Sequence, residues 1–328
     1  MKKIFFFPSK NLILVIPMVL IVGFITGLFI NTTPLKSWIL PFTFFMIYPT
    51  MIGFKIKEAF DLSHMKVVIF SSVMNFVLIP AFAFIFGKLL LNDQPQLFAG
   101  IIMISLFPTS GMTISWTMLN KGNVPAAIKI TSLSLLMGSF LAPLYLYVLV
   151  GTLVKINILS TFVTVAEIVI LPMILGSITF KVITKYFSMT TFKNKIKPLF
   201  PAVSVWAMLF IIFSSISMKS KMLLKSPELL LKTLVILLAF YLINFAMSTF
   251  LSRLFFSRED GYAFVYGTVM RNLSIALGLA IASFGPDTAL IITIAFILQV
   301  QSAAWYGKIS AKKNWLGKIK ENVLEKVA

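Results

Sequence analysis

The sequence predicts an all-α polytopic membrane protein with ten transmembrane helices, arranged as two inverted five-helix repeats. Hydrophobic residues make up 59% of the 328-residue chain and charged residues 12%, and the mean hydropathy is +0.98. Soluble domains have about 45–50% apolar and about 25% charged residues. Two further observations support this fold class: the apolar residues fall into long stretches, and two of those stretches are interrupted by polar residues about half a chain apart.

The apolar stretches are about 18–25 residues long, and a helix needs about 20 residues to cross the hydrocarbon layer. Short connections separate them, so residues 1–328 are predicted to form a single integral membrane unit without a soluble catalytic module. The chain has no glycine-lysine phosphate loop, which argues against a pump driven by ATP, and no motif of a membrane enzyme. The ten predicted spans are roughly residues 11–30, 37–54, 67–91, 97–119, 125–151, 158–180, 200–218, 228–251, 260–284 and 287–307.

The net charge of +19 does not indicate nucleic-acid binding, because the basic residues are scattered between apolar spans. With the N-terminus inside, about 20 of the 29 Lys and Arg residues lie on the cytoplasmic side, as the positive-inside rule requires. We therefore expect a protein of the cell membrane, with both termini cytoplasmic and residues 308–328 forming a cytoplasmic basic tail. One loop disagrees, since Lys219, Lys221 and Lys225 fall on the predicted outer side.

Cysteine is absent, and the single histidine, His64, lies in a predicted loop. Disulfides and thiolate metal sites are therefore excluded, and no cluster of ligating residues is found in the sequence. We expect neither a metal nor a cofactor.

The two interrupted spans are the most informative feature of the chain. Pro108-Thr-Ser-Gly-Met-Thr113 breaks the fourth span, and Thr268-Val-Met-Arg-Asn272 breaks the ninth. Backbone can unwind at membrane depth only where it faces protein or a water-filled cavity, so a matched pair predicts a substrate site between two repeats. Residues 1–151 and 158–307 each hold five spans, and an odd number of spans places the two repeats in opposite orientations.

The residues at these breaks resemble the bile acid:sodium symporter superfamily, which includes the yeast-type arsenite efflux permeases. Pro108-Thr-Ser-Gly-Met-Thr113 followed by Lys121-Gly-Asn123 is similar to the fourth span of the bile-acid branch, and Met270-Arg-Asn272 is similar to a motif of the ninth span. Thr109-Ser-Gly-Met-Thr-Ile-Ser-Trp116 is closer to the arsenite permeases, with Thr109 in place of their cysteine. The resemblance implies a four-helix panel domain and a six-helix core domain, in which spans four and nine cross at their breaks.

The resemblance also implies where sodium ligands would lie, and the chain departs from that pattern. The matching positions are Thr113, Ile114, Ala127, Thr131, Asn75 and Gly267. Ile114 and Ala127 offer no side-chain oxygen, and Gly267 replaces the one carboxylate, whereas a hard cation requires oxygen ligands. We therefore expect a carrier of an anion or oxyacid whose coupling differs from that of the bile-acid branch.

Arg271 and Glu167 are ionisable residues inside predicted spans, where a charge costs about 2.5–3.5 kcal/mol on insertion scales and is usually functional. A guanidinium beside the N-terminus of a half-helix suits an anion. The alternative is a structural ion pair between Arg271 and Glu167. Glu167, with Thr131, is the predicted site for a coupling ion or proton.

The sequence thus predicts a secondary transporter that moves a small anionic or polar solute, such as an oxyacid, across the lipid bilayer by alternating access, coupled to H⁺ or Na⁺. The alternatives are an arsenite efflux permease and, from another functional class, a passive channel or membrane sensor. The predicted substrate-binding residues are Asn75, Thr109, Ser110, Thr113, Arg271 and Asn272.

Overall fold

The computed structural model describes residues 2–54, 63–151, 157–225 and 227–316. Within these ranges the chain is helical and forms no β-strand. Short turns of other helix types occur at Thr33–Leu35 and at 189–196. The helices in chain order are α1 (Lys2–Lys10), α2 (Leu12–Phe29), α3 (Lys36–Met51), α4 (Met65–Leu90), α5 (Pro95–Leu106), α6 (Gly111–Leu119), α7 (Val124–Val150), α8 (Ile158–Tyr186), α9 (Leu199–Lys225), α10 (Pro227–Phe255), α11 (Arg258–Val269), α12 (Leu273–Ser283) and α13 (Pro286–Lys312).

Seven helices of the described residues are long and apolar enough to cross a membrane: α2, α4, α7, α8, α9 with the turn before it, α10 and α13. The predicted helical membrane protein is thus confirmed at this level, whereas ten full-length spans are not. Predicted spans four and nine are each divided into two short helices, α5 with α6 and α11 with α12, and α3 has 16 residues. A short helix before the first span, α1, was not predicted.

Helices α4 and α8 each contain a π-helical turn that was not predicted. The turns are Met74–Leu78 in α4 and Ala166–Ile170 in α8, and a proline follows each, Pro80 or Pro172. Proline lacks an N–H group, so the carbonyl four residues earlier loses its helical partner. In α4 this carbonyl belongs to Phe76, and it accepts a hydrogen bond from the hydroxyl of Tyr145 in α7 instead.

Helices α2, α3, α8 and α9 pack together, and α4 to α7 pack with α10 to α13. In the first group, α2 lies very close to α9. A Cβ atom placed on Gly27 of α2 would be only 1.9 Å from the backbone oxygen of Ser217 in α9. Contact between the groups is also close: a Cβ atom on Gly278 of α12 would lie 2.4 Å from Thr43 Cγ2 of α3. Small residues thus allow close helix packing in a membrane protein.

Among the described residues, two ion pairs join helix ends. Lys219 near the end of α9 pairs with Asp287 at the start of α13, and Lys232 of α10 lies 2.9 Å from Asp93 in the loop after α4. The Lys232 hydrogen bond holds the pKa of Asp93 below its usual range. Lys219 belongs to the lysine cluster that disagreed with the positive-inside rule, and an acidic partner therefore offsets part of that cluster's charge.

Some predicted features fall outside the described residues. They include the basic residues Lys55 and Lys57 and positions 317–328 of the predicted tail.

Candidate functional site

The two helix breaks lie directly against each other. Thr109, in the break between α5 and α6, donates its backbone N–H to the carbonyl of Met270 at 2.8 Å. Asn272, in the break between α11 and α12, donates its backbone N–H to the carbonyl of Phe107 at 2.7 Å. Pro108 and Arg271 therefore form an isolated antiparallel bridge. The unwound backbone of one break pairs with that of the other, which satisfies polar groups that the membrane interior cannot. We call this junction, residues 107–110 with 270–272, the crossing.

Local sequence explains why both helices stop here. Pro108 removes an N–H donor that a continuous helix requires. Thr109 has φ +62°, in the left-handed region, which ends the helical path. On the other side, Met270 is extended at φ −69° and ψ 125°, and α12 restarts after Asn272.

Each break ends with a capping residue for the helix that follows. The Ser110 side chain accepts the N–H of Met112, in a capping box with Thr113. The Asn272 side chain accepts the N–H of Ile275. Ser and Asn are preferred N-caps because their oxygens satisfy first-turn N–H groups. Two predicted site residues, Ser110 and Asn272, thus build the N-termini of half-helices at the crossing.

Three other predicted site residues complete the end of α11. The last carbonyls of a helix have no partner within it. Here Asn75 Nδ2 donates to the oxygen of Gly267 at 2.8 Å, and Arg271 Nη2 donates to that of Thr268 at 2.5 Å. The oxygen of Tyr266 accepts the N–H of Met270 at 3.2 Å and, in addition, a hydrogen bond from Thr113 Oγ1 at 3.3 Å. Side chains from α4, α6 and the break itself therefore donate to consecutive carbonyls.

Arg271 is completely buried, with 0% of its surface exposed. Besides the bond to Thr268, its Nη1 lies 3.4 Å from the carbonyl of Ser105, in the last turn of α5. The predicted alternative, an ion pair with Glu167, is not formed: among the described residues, the partners of this guanidinium are carbonyl oxygens. Its place between two helix C-termini suits a cation, because the macrodipole makes those ends negative.

Gln299 of α13 fixes the backbone at Arg271. Its Oε1 accepts the N–H of Arg271 at 2.7 Å, and its Nε2 donates to the oxygen of the same residue at 3.0 Å. Tyr241 of α10 donates to the same Oε1 at 3.1 Å. Neither residue was predicted to belong to the site; for Gln299, an amide in an apolar run was the only signal in the sequence.

The predicted coupling residues lie apart from these contacts. Glu167 is exposed in the π turn of α8. Thr131 is buried in α7, where its hydroxyl donates to the carbonyl of Ala127 in its own helix at 2.8 Å. Neither is among the hydrogen-bond partners of the crossing within the described residues.

The crossing has an enclosed side and an open side. Asn75, Thr109, Thr113 and Arg271 are at most 1% exposed, whereas Ser110 and Asn272 are partly exposed. A Cβ atom added to exposed Gly111 would meet no heavy atom within 4 Å. The half-helix N-termini therefore border open space, and the guanidinium does not.

Three buried polar atoms at the crossing lack a hydrogen-bond partner among the described residues: Asn75 Oδ1, Thr109 Oγ1 and Arg271 Nε. Buried polar groups are nearly always paired, so unpaired ones call for a structural or functional explanation.

Gly267 is surrounded closely. A Cβ atom there would lie 3.0 Å from Ile130 Cγ2, so the isoleucine side chain occupies the space that a larger residue would need. A larger residue at this position, such as a glutamate, therefore requires Ile130 to move.

Comparison with known proteins identifies the family of this chain. A profile of the sodium bile acid symporter family matches residues 40–226, more than half of the chain. The chain is 22% identical to the uncharacterized protein YbaS of Bacillus subtilis, over 90% of its length and 94% of that protein. It is 24% identical to YocS of the same organism, an uncharacterized sodium-dependent transporter, over 78% of each. A rice chloroplast protein, the probable sodium/metabolite cotransporter BASS1, is 29% identical over 32% of this chain and 26% of its own.

The family match agrees with the resemblance found at the two interrupted spans. With the long apolar helices of the structure, it establishes a multi-pass membrane protein. The chain therefore belongs to the sodium bile acid symporter family and is a membrane transporter of that family.

Proposed function

We propose that this protein is a secondary active transporter, which moves a small anionic or polar solute by alternating access and couples its movement to a cation. The observation that carries the proposal is the crossing, where two broken helices pair through Pro108 and Arg271. Broken helices at membrane depth are the usual location of substrate and ion sites in secondary transporters.

The solute would bind at the open side of the crossing. The N-termini of α6 and α12, capped by Ser110 and Asn272, meet there. The side chain of each cap accepts one N–H group of its helix, and its carbonyl accepts another, from Thr113 in α6 and from Ala276 in α12. The first N–H group of each helix has no intrahelical acceptor. Such groups and the positive end of the helix dipole attract a carboxylate or oxyanion. The charge of Arg271, buried behind them, would add to this field.

Sodium is the coupling ion that the comparisons favour. One relative is named as a sodium-dependent transporter, and the rice protein as a probable sodium/metabolite cotransporter. The same names favour the sodium branch over arsenite efflux. Proton coupling through Glu167 is the second candidate, since this carboxylate is exposed in the π turn of a membrane helix, and π turns are frequent at functional sites.

The transport cycle would use ten spans in two inverted repeats. We assign α2, α3, α8 and α9 to a panel that rocks against a core made of the other spans. Both termini would lie in the cytoplasm of a cell whose plasma membrane holds the protein, because that orientation places most Lys and Arg residues inside.

Uptake by purified protein in proteoliposomes tests this function. Radiolabelled bile acids, keto acids, arsenite and arsenate are supplied under an inward Na⁺ gradient, an inward H⁺ gradient or no gradient. We expect accumulation of an organic anion above the external concentration under the Na⁺ gradient. Purely passive flux under every gradient would support the channel alternative, and arsenite as the only solute moved would support the permease.

Two variants separate the proposed roles. Ser110→Ala removes the α6 cap at the open side, and we expect a raised KM for the anion. Glu167→Gln abolishes accumulation only if protons are the coupling ion; under sodium coupling we expect the Na⁺ response to persist in this variant.

A further inference from the structure

We propose that the guanidinium of Arg271 is a tethered cation, which occupies a cation position between the two half-helix C-termini of the crossing. One charge that would otherwise enter and leave with each transport cycle is then built into the chain. The binding chemistry stands on the structure alone, and only its consequence for coupling rests on the proposed function.

The oxygens around this side chain are those that bind cations. Ser105 lies in the last turn of α5 and Thr268 in the last turn of α11, and both carbonyls accept from the guanidinium. Carbonyls at the ends of broken helices coordinate Na⁺ in secondary transporters, since the dipoles of both half-helices point their negative ends at the ion. Here a guanidinium lies in the corresponding place.

No carboxylate is among the hydrogen-bond or ion-pair partners of this charge in the described part of the chain. A buried charge is costly unless it is compensated, and arginine retains its proton in proteins. Carbonyl dipoles from two helices provide that compensation at Arg271. The side chain thus has the environment of a bound metal cation rather than that of half an ion pair.

The geometry also separates this role from direct anion binding. Arg271 is fully enclosed, and both of its Nη atoms already donate to carbonyls. A solute at the open side contacts the caps, Ser110 and Asn272, before it reaches the guanidinium. Gln299 binds both the N–H and the carbonyl of Arg271, which holds the backbone that carries the charge.

Oxygens for a replacement ion are present at the same crossing. Asn75 Oδ1 and Thr109 Oγ1 are buried and have no hydrogen-bond partner in the part of the chain that the structure describes. Asn75 binds the carbonyl of Gly267, next to Thr268, and Thr109 binds that of Met270, next to Arg271. Removing the guanidinium should therefore leave a cavity lined by oxygens, which is the ligand type that a hard cation prefers.

Thermal unfolding of the full-length purified protein tests the inference without any transport measurement. The wild type, Arg271→Ala and Arg271→Gln are compared in NaCl, KCl, choline chloride and guanidinium chloride at low millimolar concentration. We expect both variants to gain a Na⁺-specific or guanidinium-specific stabilisation beyond that of the wild type. The Tm should rise by about 2–4 °C for each kcal/mol of binding free energy. Arg271→Lys keeps a tethered charge, so it should not gain this response.

Lys129 supplies a matched control. It is also a buried cation, and it donates to the carbonyl of Ser63, away from the crossing. Lys129→Met should lower the Tm equally in all four salts. A Na⁺ response in Lys129→Met as large as that of the Arg271 variants would overturn the inference.

The remaining outcomes are also decisive. If folded Arg271→Gln responds to Na⁺ no more than the wild type, the guanidinium does not occupy a cation position. If Arg271→Ala does not fold in any salt, the Na⁺ or guanidinium response of Arg271→Gln is compared with that of Arg271→Lys. A larger response in Arg271→Gln supports the inference, and equal responses contradict it. Failure of uptake in the proteoliposome experiment would instead count against the proposed function and leave these Tm shifts unaffected.

Discussion

Asn75 donates a hydrogen bond from Nδ2 to the backbone oxygen of Gly267 at 2.8 Å, and this contact ties α4 to the end of the half-helix α11. The two residues are 192 positions apart in the chain. The bond satisfies a carbonyl that has no partner within its helix, and it holds one side of the crossing in place.

Asn75→Leu should therefore destabilise the protein. The Gly267 carbonyl would remain buried without a donor, which costs about 1–3 kcal/mol. Asn244→Leu is the control, because Asn244 is equally buried but its Nδ2 donates to Phe240 in the same helix. Thermal unfolding in detergent measures both variants. Equal losses of stability would contradict a special role for the Asn75 bond.

Tyr145→Phe tests the carbonyl released by Pro80. The hydroxyl of Tyr145 is a donor to Phe76, so its removal should cost about 1–3 kcal/mol. Tyr147→Phe, at a residue 53% exposed, should have little effect. Pro80→Ala restores an N–H group, and the cost of Tyr145→Phe should shrink in that background. A cost unchanged by Pro80→Ala would show that the released carbonyl is not the cause.

Gly27→Ala should weaken the contact between α2 and α9. The new Cβ atom would lie 1.9 Å from the Ser217 oxygen and 2.0 Å from Ser220 Oγ, so the helices must separate. We expect a loss of about 1–3 kcal/mol or more in unfolding free energy, since overpacking forces backbone shifts. Gly111→Ala, where no atom lies within 4 Å, should fold normally. Wild-type stability in Gly27→Ala would refute the close approach.

Cross-linking tests the proposed rocking motion. The chain lacks cysteine, so Lys219→Cys with Asp287→Cys forms a unique thiol pair between α9 and α13. A short bis-methanethiosulfonate, which forms a disulfide with each cysteine and releases methanesulfinate, should stop uptake, because α9 belongs to the proposed panel and α13 to the core. A reductant should restore it.

The Lys232→Cys and Asp93→Cys pair is the control for that experiment. It joins α10 to the loop after α4, within the proposed core, and its cross-linking should leave uptake unchanged. Undiminished uptake with the first pair fully cross-linked would exclude movement between α9 and α13.

The helix breaks could be predicted from the sequence because they are local. Pro108 and the polar run that includes Arg271 and Asn272 stand out in apolar stretches without knowledge of any contact. The family membership is confirmed by the match over residues 40–226, which includes the break at Pro108. The π turns of α4 and α8 were missed, although a proline follows each, since a proline in an apolar stretch is equally compatible with a kink.

The surroundings of Arg271 could not be predicted in the same way. From the sequence, the residue was a candidate for anion binding or for an ion pair with Glu167, because only charge and depth were known. Its observed partners include Ser105, 166 positions away, and Gln299, 28 positions away. Every residue has a backbone carbonyl, whatever its side chain. No pattern of side chains in the sequence therefore indicates which carbonyls will surround a charge.

The sequence by itself determined a helical membrane protein of this transporter family and the two places where its helices break, because hydropathy and backbone interruption are properties of consecutive residues. Only the tertiary structure decided that the breaks pair through Pro108 and Arg271 and that the guanidinium faces carbonyls. It also decided which caps border open space. These features depend on which helix ends meet, and packing between distant segments sets the burial and the hydrogen-bond partner of every polar group there.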